Sequence, residues 1–425
     1  MSLILKRSYL DSFLVFLFLL ASLLFGSFII GPVSLRIYVS CILLLVLLIF
    51  RYRFSFSKEI KLYLAFIGIY FFALLINGEI KEVNFLKYFF GRYFVCLIAV
   101  YIISSLVNSS TEIKRTIVFL ILVGIVNGIF SIMQYYGSDL GTSIPKVLIN
   151  AEGTEDLFAN SISFESGLNR GVRGLFGFIA RNGYFSAVFA CLAPLLISIS
   201  LSNFQRLISA FISVFLIYVV FLTQQRLVLL LVLAFYFVLL LGQRKYFLFA
   251  LLALIGFIII LITIDYSLEY VNLGRYADYS DSNRLELYSL ALKFIKDNFW
   301  FGGQNAFTEY ISGKVGLANS AHNFFLNGFI YSGVIGAIVV SLLYFRILIR
   351  SLRPVWNFKS NDFSHYSKYL GGALVIYMLN SLTHNASLIT GDEFIWILFV
   401  LLVKSDIGGE EMSENVSNET PTCNR

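Results

Sequence analysis

For most of its length the chain alternates between long apolar runs and short polar clusters rich in Lys and Arg. The runs are apolar on every face rather than along one stripe, and a helix of about 20 such residues spans a bilayer. The pattern predicts twelve spans, at about 10–31, 34–50, 60–77, 86–107, 116–137, 183–203, 206–223, 226–242, 246–265, 323–346, 369–388 and 393–404. Two of these are separated only by Thr223-Gln224-Gln225-Arg226. Two long polar segments, about 138–182 and 266–322, break the series, and connections of that length are functional or disordered. The second contains a stretch of different period. From Arg284 to Asn298, Leu287, Leu290, Ala291, Phe294 and Ile295 share one helical face, and Glu286, Ser289, Lys293 and Lys296 share the other. That predicts an amphipathic helix suited to a membrane surface or to capping a cavity. The polar residues 408–425 read as a disordered tail.

Composition narrows the class. With 58% hydrophobic and 13% charged residues and a mean hydropathy of +0.82, the chain has about half the charge of a soluble domain. The predicted fold class is an all-α polytopic membrane protein. It forms a single transmembrane domain over 1–407, with external loops at about 138–182 and 266–322, the second partly helical. The net charge of +7 is spread over many loops, with no block dense enough to bind nucleic acid. Placing Lys6, Arg7, Arg51, Arg53, Lys58, Lys61, Lys114, Arg115, Arg244, Lys245, Arg346, Arg350 and Arg353 in the cytoplasm satisfies the positive-inside rule. Both termini are then cytoplasmic and both long loops external. Cys41, Cys96 and Cys191 lie in apolar runs and Cys423 in the tail, a spacing that points to neither disulfides nor zinc. No metal and no cofactor is expected.

The expected outer face is rich in arginine: Arg170, Arg173, Arg181, Arg226, Arg275 and Arg284. Guanidinium stays charged at any working pH and holds phosphate through two parallel hydrogen bonds. Arg226 stands where a span begins, so it and the helix N-terminus suit one phosphate together. The alternative is an anchor that snorkels to the headgroups. Arg275 precedes Tyr276-Ala277-Asp278-Tyr279-Ser280-Asp281. There, rings and carboxylates either receive sugar hydroxyls or, for Asp278 and Asp281, pair with the arginines. The chain has three histidines. His322 opens a run punctuated by Gly328, Gly333 and Gly336, and a helix start keeps an imidazole neutral and available as a base. The plainer reading is a helix-start residue facing headgroups. His384, near Asp392 and Glu393, is a second candidate on that side, while His365 reads as a cytoplasmic surface residue. Arg92 lies inside a span and needs a partner carboxylate or a cavity.

His322-Asn323, followed after nine residues by Gly333-x-x-Gly336, resembles the signature of the O-antigen polymerase and O-antigen ligase superfamily. The Arg284-initiated segment ending at Gly302-Gly303, and Thr223-Gln224-Gln225-Arg226 before an apolar run, are similar to that family's other motifs. The set covers about residues 220–340, and its order is more specific than any one motif. The resemblance implies a metal-independent membrane glycosyltransferase of lipopolysaccharide biosynthesis, in the bacterial inner membrane with its active site facing the periplasm. It implies a substrate oligosaccharide on undecaprenyl diphosphate, with a chain-length regulator and a flippase as protein partners beside the membrane lipid. It makes His322 the base and assigns Arg226 and Arg284 to the diphosphate. From the residues alone, Arg275, Arg173, Arg181 and His384 are secondary candidates. The expected function is an O-antigen-type polymerase, because two external loops each carry arginines for a lipid-linked substrate. The alternative is a ligase that transfers the glycan to lipid A-core. A lipid-linked oligosaccharide flippase would need charges along a midplane pathway, where Arg92 is the only clear one. A non-catalytic assembly partner would have no need of His322.

Overall fold

The computed structural model describes residues 2–24, 29–30, 33–49, 57–81, 89–149, 171–176, 179–200, 202–223, 225–241, 282–312, 314, 320–356, 365–384 and 388–418. Its helices are α1 (Ser2–Leu23), α2 (Leu35–Ile49), α3 (Lys58–Ile76), α4 (Val95–Leu106), α5 (Ser110–Tyr135), α6 (Asp139–Ile149), α7 (Ile179–Leu192) and α8 (Pro194–Ile199). They continue with α9 (Asn203–Leu222), α10 (Arg226–Leu241), α11 (Ser282–Asp297), α12 (Gln304–Ile311), α13 (Phe324–Trp356), α14 (His365–Asn380) and α15 (Glu393–Asn418). A minimal hairpin, Ile29–Ile30 against Val33–Ser34, joins α1 to α2. The protein is an all-α polytopic membrane protein. Five described helices are long and apolar enough to cross a bilayer: Lys58–Ile76, Ser110–Tyr135, Ala180–Ile199, Asn203–Leu222 and Phe324–Trp356. Shorter apolar helices cover Ser8–Leu23, Leu35–Ile49, Gly91–Leu106 and Leu227–Leu239. The expected span at 246–265 lies outside the described residues. The α15 backbone stays helical to Asn418, through residues whose sequence reads as a polar tail.

Polar side chains sort the bundle into two ends. At the first, Ser109 and Glu112 cap α5 reciprocally, the Ser109 hydroxyl accepting from Glu112 N at 3.2 Å and Glu112 Oε2 from Ser109 N at 3.0 Å. There Arg346 also pairs with Glu59 at 3.0 Å, Arg350 with Asp406 at 3.6 Å, and Lys404 donates to Asn108 at 2.8 Å. Lys58, Glu59 and Arg346 come from segments whose charge predicts one common side. At the opposite end Arg36 grips Glu393 through two bonds of 2.8 and 2.9 Å. Between the ends, Phe185, Phe189, Phe394 and Trp396 are fully buried, and Trp396 lies 4.4 Å from the Tyr63 ring. Lipid is as apolar as these rings, so close packing rather than escape from water holds them together.

The apolar run 323–346, expected as one straight span, instead folds back on itself. The Phe324 ring lies 4.8 Å from Tyr344, and Phe325 lies 5.9 Å from Phe345. A methyl on Gly328 would sit 3.4 Å from Val340. A straight helix would hold Phe324 and Tyr344 about 30 Å apart. The break is Gly333, at φ 64 and ψ −165, a conformation essentially confined to glycine. Residues 324–332 and 334–345 therefore run antiparallel, side by side. The turn after α11 fills the break: Val334 N donates to Phe299 O at 2.9 Å, and Gly303 N to Ile330 O at 2.7 Å. Backbone groups that the broken helix leaves unpaired are thereby satisfied.

The amphipathic helix forms as its period predicts, with Leu287, Ala291 and Phe294 buried and Phe294 packed 5.2 Å from Phe307 of α12. Three contacts fix this α11–α12 unit to the end of α3. Tyr70 donates to Gln304, Asn77 Nδ2 to Gly302 O at 3.3 Å, and Asn305 N to Glu79 Oε1 at 3.3 Å. Burial pushes the Glu79 carboxyl above the usual carboxylate range, despite the backbone N–H groups it receives.

Several helices are short. α2 has 15 residues and α14 has 16, so they span about 22–24 Å of a hydrocarbon core about 30 Å thick. The Tyr344 hydroxyl, on the descending leg of α13, donates to Met378 O near the end of α14 at 3.0 Å. The α14 terminus, and Ser381 after it, therefore lie well below the level of Gly333. This end of the bundle has a sunken polar floor.

Candidate functional site

The floor is organised by the Gly391-Asp392-Glu393 turn. Asp392 caps α15, its Oδ1 accepting from Phe394 N at 3.1 Å. Its Oδ2 accepts from the Tyr184 hydroxyl at 3.0 Å and from the Tyr377 hydroxyl. Burial raises the Asp392 carboxyl above the usual range, against the pull of Arg181. Arg181, half-buried on α7, stacks 5.1 Å from the Phe185 ring. It lies within electrostatic reach of Tyr184, Asp392, Glu393 and Tyr377.

His322 stands at the base of the α13 hairpin. Its φ of 51 makes it the one non-glycine residue with a left-handed backbone among the described residues. Histidine tolerates that region better than most side chains, yet such positions still carry strain and concentrate at functional sites. The residues around it pin it there. Ala321 N donates to Asn327 Oδ1 at 3.0 Å, and Asn323 Oδ1 caps α13 by accepting from Phe325 N at 3.0 Å and Leu326 N at 3.1 Å. Asn323 Nδ2 reaches Leu382 O at 3.0 Å, and Phe324 N reaches Ser381 O at 3.1 Å. One loop thus begins against the His322 turn, carries His384, and ends at Asp392. His322 opens α13 as its sequence context predicts, and the nine-residue leg 324–332 separates it from Gly333 by about 13 Å.

A buried amide network holds the arginine-bearing segment 171–176. Asn127 Nδ2 donates to Asn182 Oδ1 at 2.7 Å, and its Oδ1 accepts from Leu175 N at 2.8 Å. Asn182 Nδ2 donates to Val172 O at 3.0 Å, while Gln134 Oε1 accepts from Arg173 N at 3.0 Å and Gly174 N at 2.8 Å. Such groups persist inside an apolar bundle only because they satisfy one another. Val172 N donates to Leu222 O at 3.3 Å, which sets buried Arg173 beside the turn that leads into α10. Arg226 begins α10, as its sequence context predicts, and Arg284 lies in the first turn of α11. The side chains of both are outside the described ones. Arg170, Arg275 and the Asp278–Asp281 stretch lie outside the described residues altogether. Gln225 packs on Gly183 of α7, which joins the start of α10 to the helix that carries Arg181 and Tyr184.

The fold thus gathers the elements carrying Arg173, Arg181, Arg226, His322 and His384 at one end. Residues 211–341 match the O-antigen ligase family. That O-antigen ligase match bears out the superfamily resemblance drawn from the Arg226, Arg284 and His322 motifs, all of which it contains. It spans under a third of the chain and ends within α13. No curated protein matches the chain. Outside the O-antigen ligase region stand Arg36, Tyr184, Tyr377, Asp392 and Glu393, none of which the sequence singles out as site residues, and Arg92, which it marks only as a charge within a span. Asp392 and Glu393 carry a weak signal, as adjacent carboxylates at a span boundary. Arg36 carries none, because its partner is 357 positions away. Arg92, expected to need a carboxylate or a cavity, sits exposed in the π-helical turn Phe90–Phe94 and rests against Gly391. Among the described residues no group of three or more His, Cys, Asp or Glu is placed to hold a metal ion.

Proposed function

We propose that this protein transfers a glycan from a polyprenyl diphosphate to an acceptor sugar, as an O-antigen-type polymerase. The observation that carries the reading is that the stretch matching O-antigen ligase contains Arg226, Arg284 and His322 together. His322 takes the proton of the acceptor hydroxyl as that oxygen attacks the anomeric carbon. The bond from that carbon to the diphosphate oxygen breaks, and the lipid diphosphate leaves with the electron pair. Arg226 and Arg284 stabilise the charge that gathers on it, with Arg173, Arg181, Arg275 and His384 as further contacts. The protein sits in the inner membrane with both termini cytoplasmic and this end facing the periplasm. Residues 1–407 form the transmembrane domain, and 408–425 form a cytoplasmic tail. A chain-length regulator and a flippase serve it as partners.

A second reading, ligation of the glycan to lipid A-core, draws on the description of the matched family as O-antigen ligase. One strain decides between them. Deletion of the gene leaves core plus a single repeat unit if the protein is the polymerase, and unattached long chains if it is the ligase. Complementation with His322→Ala should fall short by about 10²–10⁴-fold in transfer rate, the usual worth of a general base. Wild-type surface polysaccharide from a stably inserted His322→Ala protein would remove both readings.

A further inference from the structure

At the end of the bundle that holds Glu59, α3 and α13 border a cavity of about 360 Å³ lined by Lys58, Lys61, Leu62 and Arg346. Small-ligand sites run from about 300 to 1,000 Å³. Three of the four lining side chains are cations. Glu59 is buried and is not among the lining residues. Its Oε1 accepts from Arg346 Nε at 3.3 Å and from Nη2 at 3.0 Å. That grip fixes the guanidinium by one edge and leaves Arg346 Nη1 without a hydrogen bond to a described residue. Arg350 Nη1 stands 4.0 Å from the other Glu59 oxygen, so this one carboxylate serves two guanidinium groups. Lys58 and Lys61 are exposed, and neither ammonium pairs with a described residue.

Cations at a bilayer boundary often do no more than snorkel to the headgroups and mark the cytoplasmic side. Snorkelling side chains are free to move apart, whereas Arg346 is pinned by a buried carboxylate and shares one cavity with both lysines. We infer that this cavity is a binding site for the phosphate headgroup of an anionic glycerophospholipid. Basic pockets between membrane helices suit such headgroups. The surroundings favour a lipid over a free phosphate. On α3, exposed Leu64 and Ala65 follow Lys61 by three and four positions, and so share its face. On α13, Leu342, 53% exposed, precedes Arg346 by one turn. Each helix therefore carries apolar surface on from its cation, where acyl chains would lie. A free phosphate would engage the cations and leave that surface untouched. Phosphatidylcholine carries its own cation beside the phosphate and fits three positive side chains poorly.

The site is independent of the proposed glycan transfer; its place in the cytoplasmic leaflet rests on the proposed orientation. Nanodiscs expose both leaflets, so binding is measured without assuming it. Full-length protein would be placed in nanodiscs of phosphatidylcholine mixed with phosphatidylglycerol, and the lipids retained on the released protein counted by native mass spectrometry. Wild type should retain phosphatidylglycerol in preference. Lys58→Gln and Lys61→Gln should each weaken that preference about fivefold, the usual worth of one cation at an anionic surface. Both lysines are exposed, so neither change disturbs the packed bundle. Arg353→Gln removes an exposed arginine of the same helix as Arg346 that does not line the cavity, and should keep the wild-type preference. The site is overturned if wild type shows no preference, if the Lys58→Gln/Lys61→Gln double variant keeps it, or if Arg353→Gln loses as much as Lys61→Gln. Inorganic phosphate, added to protein in pure phosphatidylcholine nanodiscs, should leave the thermal midpoint unchanged. Stabilisation by inorganic phosphate equal to that by phosphatidylglycerol would give the cavity to a soluble anion and refute the lipid assignment.

Discussion

Replacing Gly333 with alanine attacks the turn on which both α13 and the α11–α12 unit depend. The backbone there, φ 64 and ψ −165, costs an L side chain about 1–3 kcal/mol. The new methyl would also overlap the Trp300 carbonyl and lie 2.6 Å from Phe301 N. Both are backbone atoms, so no side-chain rotation relieves the clash. Relief requires the Phe299–Gly303 turn to lift, breaking the Val334 N–Phe299 O bond of 2.9 Å and the Gly303 N–Ile330 O bond of 2.7 Å. A buried group left unpaired costs about 1–3 kcal/mol. The substitution should therefore destabilise the protein by about 3–9 kcal/mol, the strain and the two lost bonds together. Reversible unfolding in mixed micelles, followed by tryptophan fluorescence, reads this directly, since Trp300 reports on the turn. Gly68→Ala on α3 is the control, because nothing lies within 4 Å of the added methyl. It should be neutral or stabilising by up to about 1 kcal/mol. A Gly333→Ala protein within about 0.5 kcal/mol of wild type would refute the reasoning.

Asn182→Ala should cost about 2–4 kcal/mol, because it removes the donor to Val172 O and Ser131 Oγ and the shorter of the two bonds made by Asn127 Nδ2 in the interior; unchanged unfolding would show that water replaces the amide. In spheroplasts of a variant lacking native cysteines, an impermeant thiol reagent should label Ser312→Cys and spare Lys61→Cys, and the reverse pattern would invert the proposed orientation. Glu79 has a folded-state pKa raised by burial, so the folded state holds its proton more tightly than the unfolded chain does. Its contribution is fully present below the ordinary value of about 4.3 and is lost as pH rises through the raised one. Glu79→Gln keeps an oxygen for Asn305 N and should flatten that slope above about pH 4; an equal or steeper slope in the Gln variant would count against the burial argument.

Local features were legible in the sequence and distant pairings were not. The face of α11 follows from the spacing of Leu287, Ala291 and Phe294, and the start of α10 at Arg226 follows from the polar break before an apolar run. Both depend on neighbours within a few positions, where periodicity acts. The fold-back at Gly333 left no such trace, since residues 324–345 are apolar on both legs and read as one continuous helix. Its cause, the Trp300 turn, lies more than thirty positions upstream. The floor was equally hidden. Arg181 and Tyr184 share α7, while Tyr377 is on α14 and Asp392 stands just before α15, and nothing in one sequence says that two tyrosines from different helices will occupy that carboxylate.

The fold-back also changes what sequence position means for depth. Under the proposed topology the chain crosses the membrane once between α12 and α14, whether or not 324–332 doubles back, so counting loop charges gives the same sidedness either way. Solvent exposure along this stretch is another matter. It should not decline steadily from one end to the other but mirror itself about Gly333, with Phe324 and Tyr344 sharing a stratum though twenty positions apart. A single inserted residue in either leg would slide that mirror out of register. It would move His322 vertically by about 1.5 Å relative to the floor without altering a single residue of the site.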